Sequence, residues 1–272
     1  MGVRAQVWSS MLRGYRSGRG GGGALWQSGG MWLVALYSEP GLDARPADPG
    51  GLTPGEVLRA AQLVDPVDRH RFVVSHHLLR LAVADSVGAH PSDVVLDFAC
   101  ERCGEQHGRP RVVAGAGPES VSVSVSISLS RSAGAALFAV LVAPAGERVP
   151  AIGVDLERID AVGFPRFDDV ALSASERASL GAAGLDAHAA IAARAALWVR
   201  KEAVAKAIGS GLRRDPRHLE VAGALLGRTL VDSRTITWRD VDSPLLPRFA
   251  AALAVEAPPS ETVAPDFRTL HP

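Results

Sequence analysis

Ile152-Gly-Val-Asp-Leu-Glu157 alternates apolar and acidic residues with the period of two that belongs to a β-strand. Val154 and Leu156 then face one side and Asp155 and Glu157 the other. Two carboxylates about 7 Å apart on one face repel each other unless water or a cation screens them. Hard divalent cations such as Mg²⁺ take oxygen ligands, usually a few carboxylates plus waters and phosphates. Read alone, the stretch is first a strand edge with two solvated acids, a common feature, and only second a metal site.

Downstream, Trp198-Val-Arg-Lys-Glu-Ala-Val-Ala-Lys206 places Trp198, Glu202 and Lys206 four residues apart. One helix face then carries a third carboxylate with an ammonium a turn beyond it. Of 29 basic residues only two are lysine, Lys201 and Lys206, and both fall in this segment. Arg is an always-charged planar fork, whereas Lys is a compact ammonium that can give up a proton. The pairing therefore points to a task for an ammonium; the plainer reading is a helix-stabilising Glu-to-Lys pair worth ~0.2–0.5 kcal/mol. Lys201 lies about 100° round the helix from Glu202 and ranks below Lys206 as a catalytic residue. Together the two stretches suit Mg²⁺ and a pyrophosphate-like ligand.

Around them the chain reads as α+β. Residues 1–30 form a flexible Gly/Arg-rich tail centred on Gly20-Gly-Gly-Gly23, with Met31 the expected translational start. Strands are expected at Met31–Tyr37, Val94–Ala99, Val121–Ser130 (alternating Val/Ile with Ser) and Ala135–Ala143. Pro54 to about Gly88 reads as one long helix and Cys100–Pro118 as irregular. After a strand at Ala151–Arg158, Ser173–Leu180 opens a helix with Ser173 or Ser175 as cap, and Asp186–Ile208 is a long Ala-rich helix ending at Gly209. Leu219–Val221, Thr229–Trp238 and Phe249–Val255 read as closing strands, and 258–272 as a loose tail. Two similar halves, 31–148 and 149–257, then meet near residue 148, and the cleft between them is a natural ligand site.

Zero net charge and the absence of a basic run exclude a nucleic-acid footprint, and no apolar stretch reaches the roughly 18–20 residues of a membrane span. Two cysteines and no apolar signal core suit a reducing cytoplasm. Cys100-x-x-Cys103 with His107 supplies three soft ligands where a structural zinc takes four, so inert thiols are the first reading and zinc the second. No Gly-x-x-x-x-Gly-Lys loop, Gly-x-Ser-x-Gly elbow or Gly-x-Gly-x-x-Gly turn occurs at the required place.

The pair Ile152–Glu157 and Trp198–Lys206, followed by Gly209-Ser-Gly-Leu212, resembles the signature of 4′-phosphopantetheinyl transferases. Asp68-Arg-His-Arg-Phe72 with Leu78-Leu-Arg80 resembles the basic helix of the larger, surfactin-synthetase-type members. Cys100–Pro110 resembles their Gly-Lys-Pro loop with Arg109 in the Lys place, and Ser126–Ser132 their Ser-His-Ser/Thr segment with Arg131 in the His place. The likeness covers residues 31–256.

The resemblance implies a monomeric pseudo-dimer with coenzyme A and Mg²⁺ (or Mn²⁺) in the cleft between two α/β halves. It implies transfer of phosphopantetheine to a serine of apo acyl or peptidyl carrier proteins, of the holo-[acyl-carrier-protein] synthase type, with release of adenosine 3′,5′-bisphosphate. Polyketide, nonribosomal peptide or fatty-acid synthesis is the implied setting. Asp155, Glu157 and Glu202 would hold the metal. Glu202 would act as base, directly or through a metal-bound water, and Lys206 would contact the phosphates. Arg71, Arg109, Ser130, Arg131 and Lys201 would bind coenzyme A, and Phe164–Ser175 would border the carrier-docking surface. A Mg²⁺-dependent phosphohydrolase and a non-catalytic carrier-binding module are the rival readings.

Overall fold

The computed structural model describes residues 31–115, 123–144, 147–223, 225–242, 246–256, 262–268 and 270, so the expectation for residues 1–30 lies outside the described residues. In chain order the first half holds β1 (Met31–Glu39), α1 (Pro54–Ala61), α2 (Pro66–Val87), β2 (Val94–Ala99), β3 (Gln106–Gly115), β4 (Val123–Ser132) and β5 (Ala135–Pro144). The second holds β6 (Ile152–Arg158), α3 (Phe167–Ala171), α4 (Ala174–Ala182), α5 (Ala187–Ile208), β7 (Leu226–Val231), β8 (Arg234–Asp240), β9 (Phe249–Glu256) and β10 (Thr262–Arg268).

The fold is α+β and built in four layers. One sheet has the order β10-β1-β5-β4 and another β6-β9-β8-β7, while β2 and β3 form a separate ribbon. A shared core lies between the two large sheets, with Leu36, Leu137 and Leu141 on one side and Val154, Leu156 and Leu253 on the other. α2 covers the outer face of the first sheet through Leu78, Leu79 and Val83, and α5 covers that of the second through Ala195, Val199 and Ala203. Each four-stranded sheet therefore carries a 22-residue helix on its outer face, the first sheet completed by β10 from the C-terminal end of the chain.

Five expected elements need correction. The helix over 54–88 is two helices, because Asp65 caps a new start with Pro66 in the first turn, and a residue before proline avoids the helical region. Within 100–118, residues 106–115 form a strand; Gly108 is required there, since a Cβ would stand 2.6 Å from the Ala99 carbonyl oxygen. The stretch 229–238 lies in two strands joined by Asp232 and Ser233, both at positive φ, the arrangement of a tight hairpin. At the C-terminus, β10 pairs parallel with β1, so 262–268 is an edge strand, where Pro265 is tolerated.

Leu219–Val221, expected as a strand, is instead held by a buried ion pair. The Lys201 ammonium lies 2.7 Å from Glu176 with both side chains fully buried, and it donates to the carbonyls of Pro216 and Leu219 at 2.8 and 2.5 Å. Glu176 also accepts from the amides of Val221 and Ser173. Burial pushes the Lys201 ammonium below its ordinary range, opposed by Glu176. Lys201, expected to bind coenzyme A, is thus part of the internal frame.

The sharpest packing constraint is at Gly153. A Cβ there would stand 2.1 Å from the Ala203 carbonyl oxygen and 2.6 Å from the Ala207 nitrogen, so β6 and α5 touch backbone to backbone. Two predictions follow from these contacts. Gly153→Ala should cost more than the ~1–3 kcal/mol of ordinary overpacking in urea denaturation, whereas Gly181→Ala, with open space around the new methyl, should be neutral or stabilising by up to ~1 kcal/mol. Lys201→Met should lose about 3–5 kcal/mol by stranding the Glu176 charge, and the double variant with Glu176→Gln should regain most of it.

Candidate active site

The two sheets meet where edge strand β4 lies along edge strand β6. The Val/Ser alternation of β4 turns Ile127 toward α2 and a row of buried serines, Ser126, Ser128, Ser130 and Ser132, toward β6. An unpaired strand edge carries backbone groups that need partners. Here side chains supply them. The Val154 amide donates to Ser128 Oγ at 3.0 Å and the Arg158 amide to Ser132 Oγ at 3.2 Å. The Ile152 carbonyl accepts from Arg109 at 3.2 Å and the Val154 carbonyl from Lys206 at 3.1 Å.

The same seam positions the acids. Ser130 Oγ donates to Asp155 Oδ1 at 2.8 Å, and Ser132 Oγ donates to Glu157 Oε1, which also accepts from the Arg158 amide at 2.8 Å. From α5, Lys206 Nζ reaches Asp155 Oδ1 at 2.7 Å and Ser130 Oγ at 3.0 Å. Asp155, Glu157, Glu202 and Lys206 all line one cleft of about 470 Å³ with Ser130, Arg131 and Trp198. Glu202 differs from the other two acids: among the described residues its carboxylate has neither a hydrogen bond nor an ion pair. Burial pushes its pKa up, the Asp155 charge adds to this, Lys206 offsets part, and the value reaches about 7.

The opposite wall comes from the first half. Phe72, His76 and Phe98 stack with ring centroids 3.8 and 4.4 Å apart. Arg131 sits over the Phe72 ring at 5.1 Å and donates to Ser75 Oγ at 3.3 Å, leaving a permanent cation exposed on this wall. Arg59 lines the cleft too. Behind the stack, the fully buried Glu56 accepts from His76 Nδ1 at 2.7 Å, from Arg80, and from the Thr53 amide it caps. Burial alone would raise Glu56, but these donors outweigh it and hold it at about 2.

Of the residues expected in the site, the structure brings Asp155, Glu157, Glu202, Lys206, Ser130 and Arg131 together and leaves three aside. Arg71 forms a two-point pair with Asp43 at 2.7 and 2.8 Å, away from the cleft lining. Arg109 spans the seam to Ser126 Oγ and Ile152, and Lys201 is buried behind α5. The expected pair of inert thiols is also not buried, since Cys103 is exposed and Cys100 partly so. Phe167 belongs to the core, while Phe164 is exposed and meets it edge-on at 5.4 Å. Arg59, Glu56, His76, Ser128 and Ser132 were not expected. The serine alternation was the signal for the last two, and the Thr53-x-x-Glu56 capping box was a weak one for Glu56.

His76 gives the first half a defined acid limit. Burial pushes its pKa down from 6.5 to about 4, with the Glu56 bond opposing. Between those values the unfolded chain binds more protons, so stability is lost as pH falls through this window. The loss should be on the order of 3 kcal/mol, and Glu56 should extend it below 4.5. Urea denaturation across that range checks this, and His76→Gln should flatten the profile between 6.5 and 4.

Residues 151–254 match the family model of the 4′-phosphopantetheinyl transferase superfamily. No match to a curated protein was found. The matched span takes in both acids of β6, all of α5 with Glu202 and Lys206, and strands β7 and β8 beneath that helix. The part of the chain that carries these acids therefore belongs to the 4′-phosphopantetheinyl transferase superfamily.

Proposed function

We propose that this chain moves the phosphopantetheine arm of coenzyme A onto a serine of apo acyl or peptidyl carrier proteins, releasing adenosine 3′,5′-bisphosphate. The observation that carries the reading is the unpartnered, half-buried carboxylate of Glu202 beside Asp155, in a cleft with cations on its far wall. Such a carboxylate is held uphill electrostatically and is relieved by a bound cation.

The donor set fits a hard divalent ion. Asp155, Glu157 and Glu202 offer only carboxylate oxygens, and the raised Glu202 marks where positive charge is lacking. These three residues would hold Mg²⁺ or Mn²⁺. When bound, the ion would offset charge building on the pyrophosphate as it leaves. The rest falls to the chain itself. Ser130 and Ser132 fix the orientation of Asp155 and Glu157. Arg131 and Arg59 present permanent cations to the phosphates, and Arg can grip phosphate at two points. Lys206 Nζ stands beside Asp155, where it donates to the oxygen that departs.

In the transfer a bond forms between the carrier serine oxygen and the phosphorus bearing the pantetheine arm. The bond from that phosphorus to the bisphosphate oxygen breaks. The serine proton would pass to Glu202, directly or through a water held beside it. Both halves of one chain line the cleft, which supports a monomer as the working unit. Phe164, exposed on the segment after β6, supports a docking surface for the carrier over 164–175. No helix among the described residues is long and apolar enough to cross a membrane.

Intact mass of an apo carrier after incubation with the protein, coenzyme A and Mg²⁺ tests the reading. One phosphopantetheine should be gained, none with EDTA, and the rate should fall by about 10²-fold or more in Glu202→Gln. Phosphopantetheine released free in solution, with the carrier unchanged, would instead favour the phosphohydrolase.

A further inference from the structure

Cys100 and Cys103 lie in the turn between β2 and β3 and His107 at the start of β3, none of them among the catalytic or metal-holding residues described above. One ligand atom from each falls within 4.8 Å of the other two, and this is the only such group of three among the described residues. Cys103 Sγ and His107 Nε2 are 3.1 Å apart. Tetrahedral zinc, with bonds of about 2.3 Å to sulfur and 2.0–2.1 Å to nitrogen, sets its ligand atoms roughly 3.5–3.8 Å from one another. The three groups are therefore already near the spacing of three corners of one coordination tetrahedron.

The backbone is shaped to the same end. The chain doubles back at Gly104, at φ 77°, with the Gly104 amide on the Cys100 carbonyl at 2.8 Å and the Cys100 amide on the Glu105 carbonyl at 2.8 Å. This tight loop returns His107 to the two sulfurs.

We infer that Cys100, Cys103 and His107 form a site for one zinc ion, three-coordinate from the protein, with its fourth position open to solvent. Two sulfurs and an imidazole select a borderline-soft ion and reject Mg²⁺, so the site is chemically separate from the carboxylates of the cleft. Binding displaces the two thiol protons and leaves zinc–thiolate bonds, with no change of oxidation state. The open position follows from exposure, since Cys103 and His107 both face solvent. Because Gln106, His107, Gly108 and Pro110 line the cleft, the ion would pin the turn that forms one of its walls.

The test is zinc analysis of the full-length chain kept under reducing conditions, desalted after exposure to Zn²⁺ and excess Mg²⁺. About one zinc per chain is expected. Cys103→Ser should weaken zinc binding by more than about tenfold, while Glu202→Gln should leave zinc content unchanged. Cobalt in place of zinc should show tetrahedral ligand-field bands and a sulfur-to-cobalt charge-transfer band, a readout independent of whether Cys103→Ser folds. Any of three results would overturn the inference: no bound zinc, full zinc retention in a folded Cys103→Ser, or cobalt spectra without sulfur ligation. Because no carrier or coenzyme A enters these measurements, the zinc site and the transferase reading can fail separately.

Discussion

Everything in the cleft depends on how closely β6 and α5 approach. At Gly153 the helix backbone occupies the space where any other residue would put a Cβ. That contact brings side chains two and four residues further along β6, Asp155 and Glu157, under the face of α5 that carries Glu202 and Lys206. A helix lifted by even one methyl would take Lys206 off Asp155, to which it now bonds at 2.7 Å. The glycine is therefore a distance setting between two charged surfaces, packed directly against the stem of Lys206.

Close approach alone would leave an open strand edge at β6. The serine row of β4 resolves this with a short, neutral side chain that can both donate and accept. Each hydroxyl is small enough to sit between two edge strands. Ser130 and Ser132 serve a second purpose, because the carboxylates they fix are the ones that face the cleft. One row of residues thus joins the halves of the molecule and aims two of its acids. Arg109 belongs to the same seam, which explains why a guanidinium expected at a phosphate is found on a backbone carbonyl.

What could be read from the chain was what local pattern determines. β6 and α5 were readable because alternation, a spacing of four, the Asp186 cap and Gly209 at φ 74° all act within a few residues. The acids and Lys206 came with them. What escaped depends on distant partners. β10 reads as a loose tail until β1 is available beside it. β3 looks irregular because it carries Gly108 and Pro110, and Gly108 answers to the backbone at the end of β2 rather than to strand propensity. Lys201 and Lys206 are alike in sequence, five residues apart on one helix, yet one is buried on Glu176 and the other faces the cleft. Which face of α5 is solvent and which is core is a tertiary fact, and it alone separates an ammonium buried in the frame from one that faces the cleft.

The electrostatic state of the cleft follows from that separation. Three carboxylates line a cleft in which one ammonium, Lys206, is bonded to one of them. Asp155 takes that ammonium and a serine hydroxyl, and Glu157 takes a hydroxyl and an amide. Glu202 is left to lower its energy by holding a proton, which is what a value near 7 expresses. The raised Glu202 carboxylate marks a place in the cleft that is short of positive charge. Supplying that charge as an ion would release the proton and turn Glu202 from a weak donor into a ligand. The permanent cations of Arg59 and Arg131 on the far wall do not cancel the shortage. The cleft is therefore polarised, acidic on the β6–α5 side and basic on the other. Such a cleft suits an anion that arrives with a divalent cation, and not either one alone.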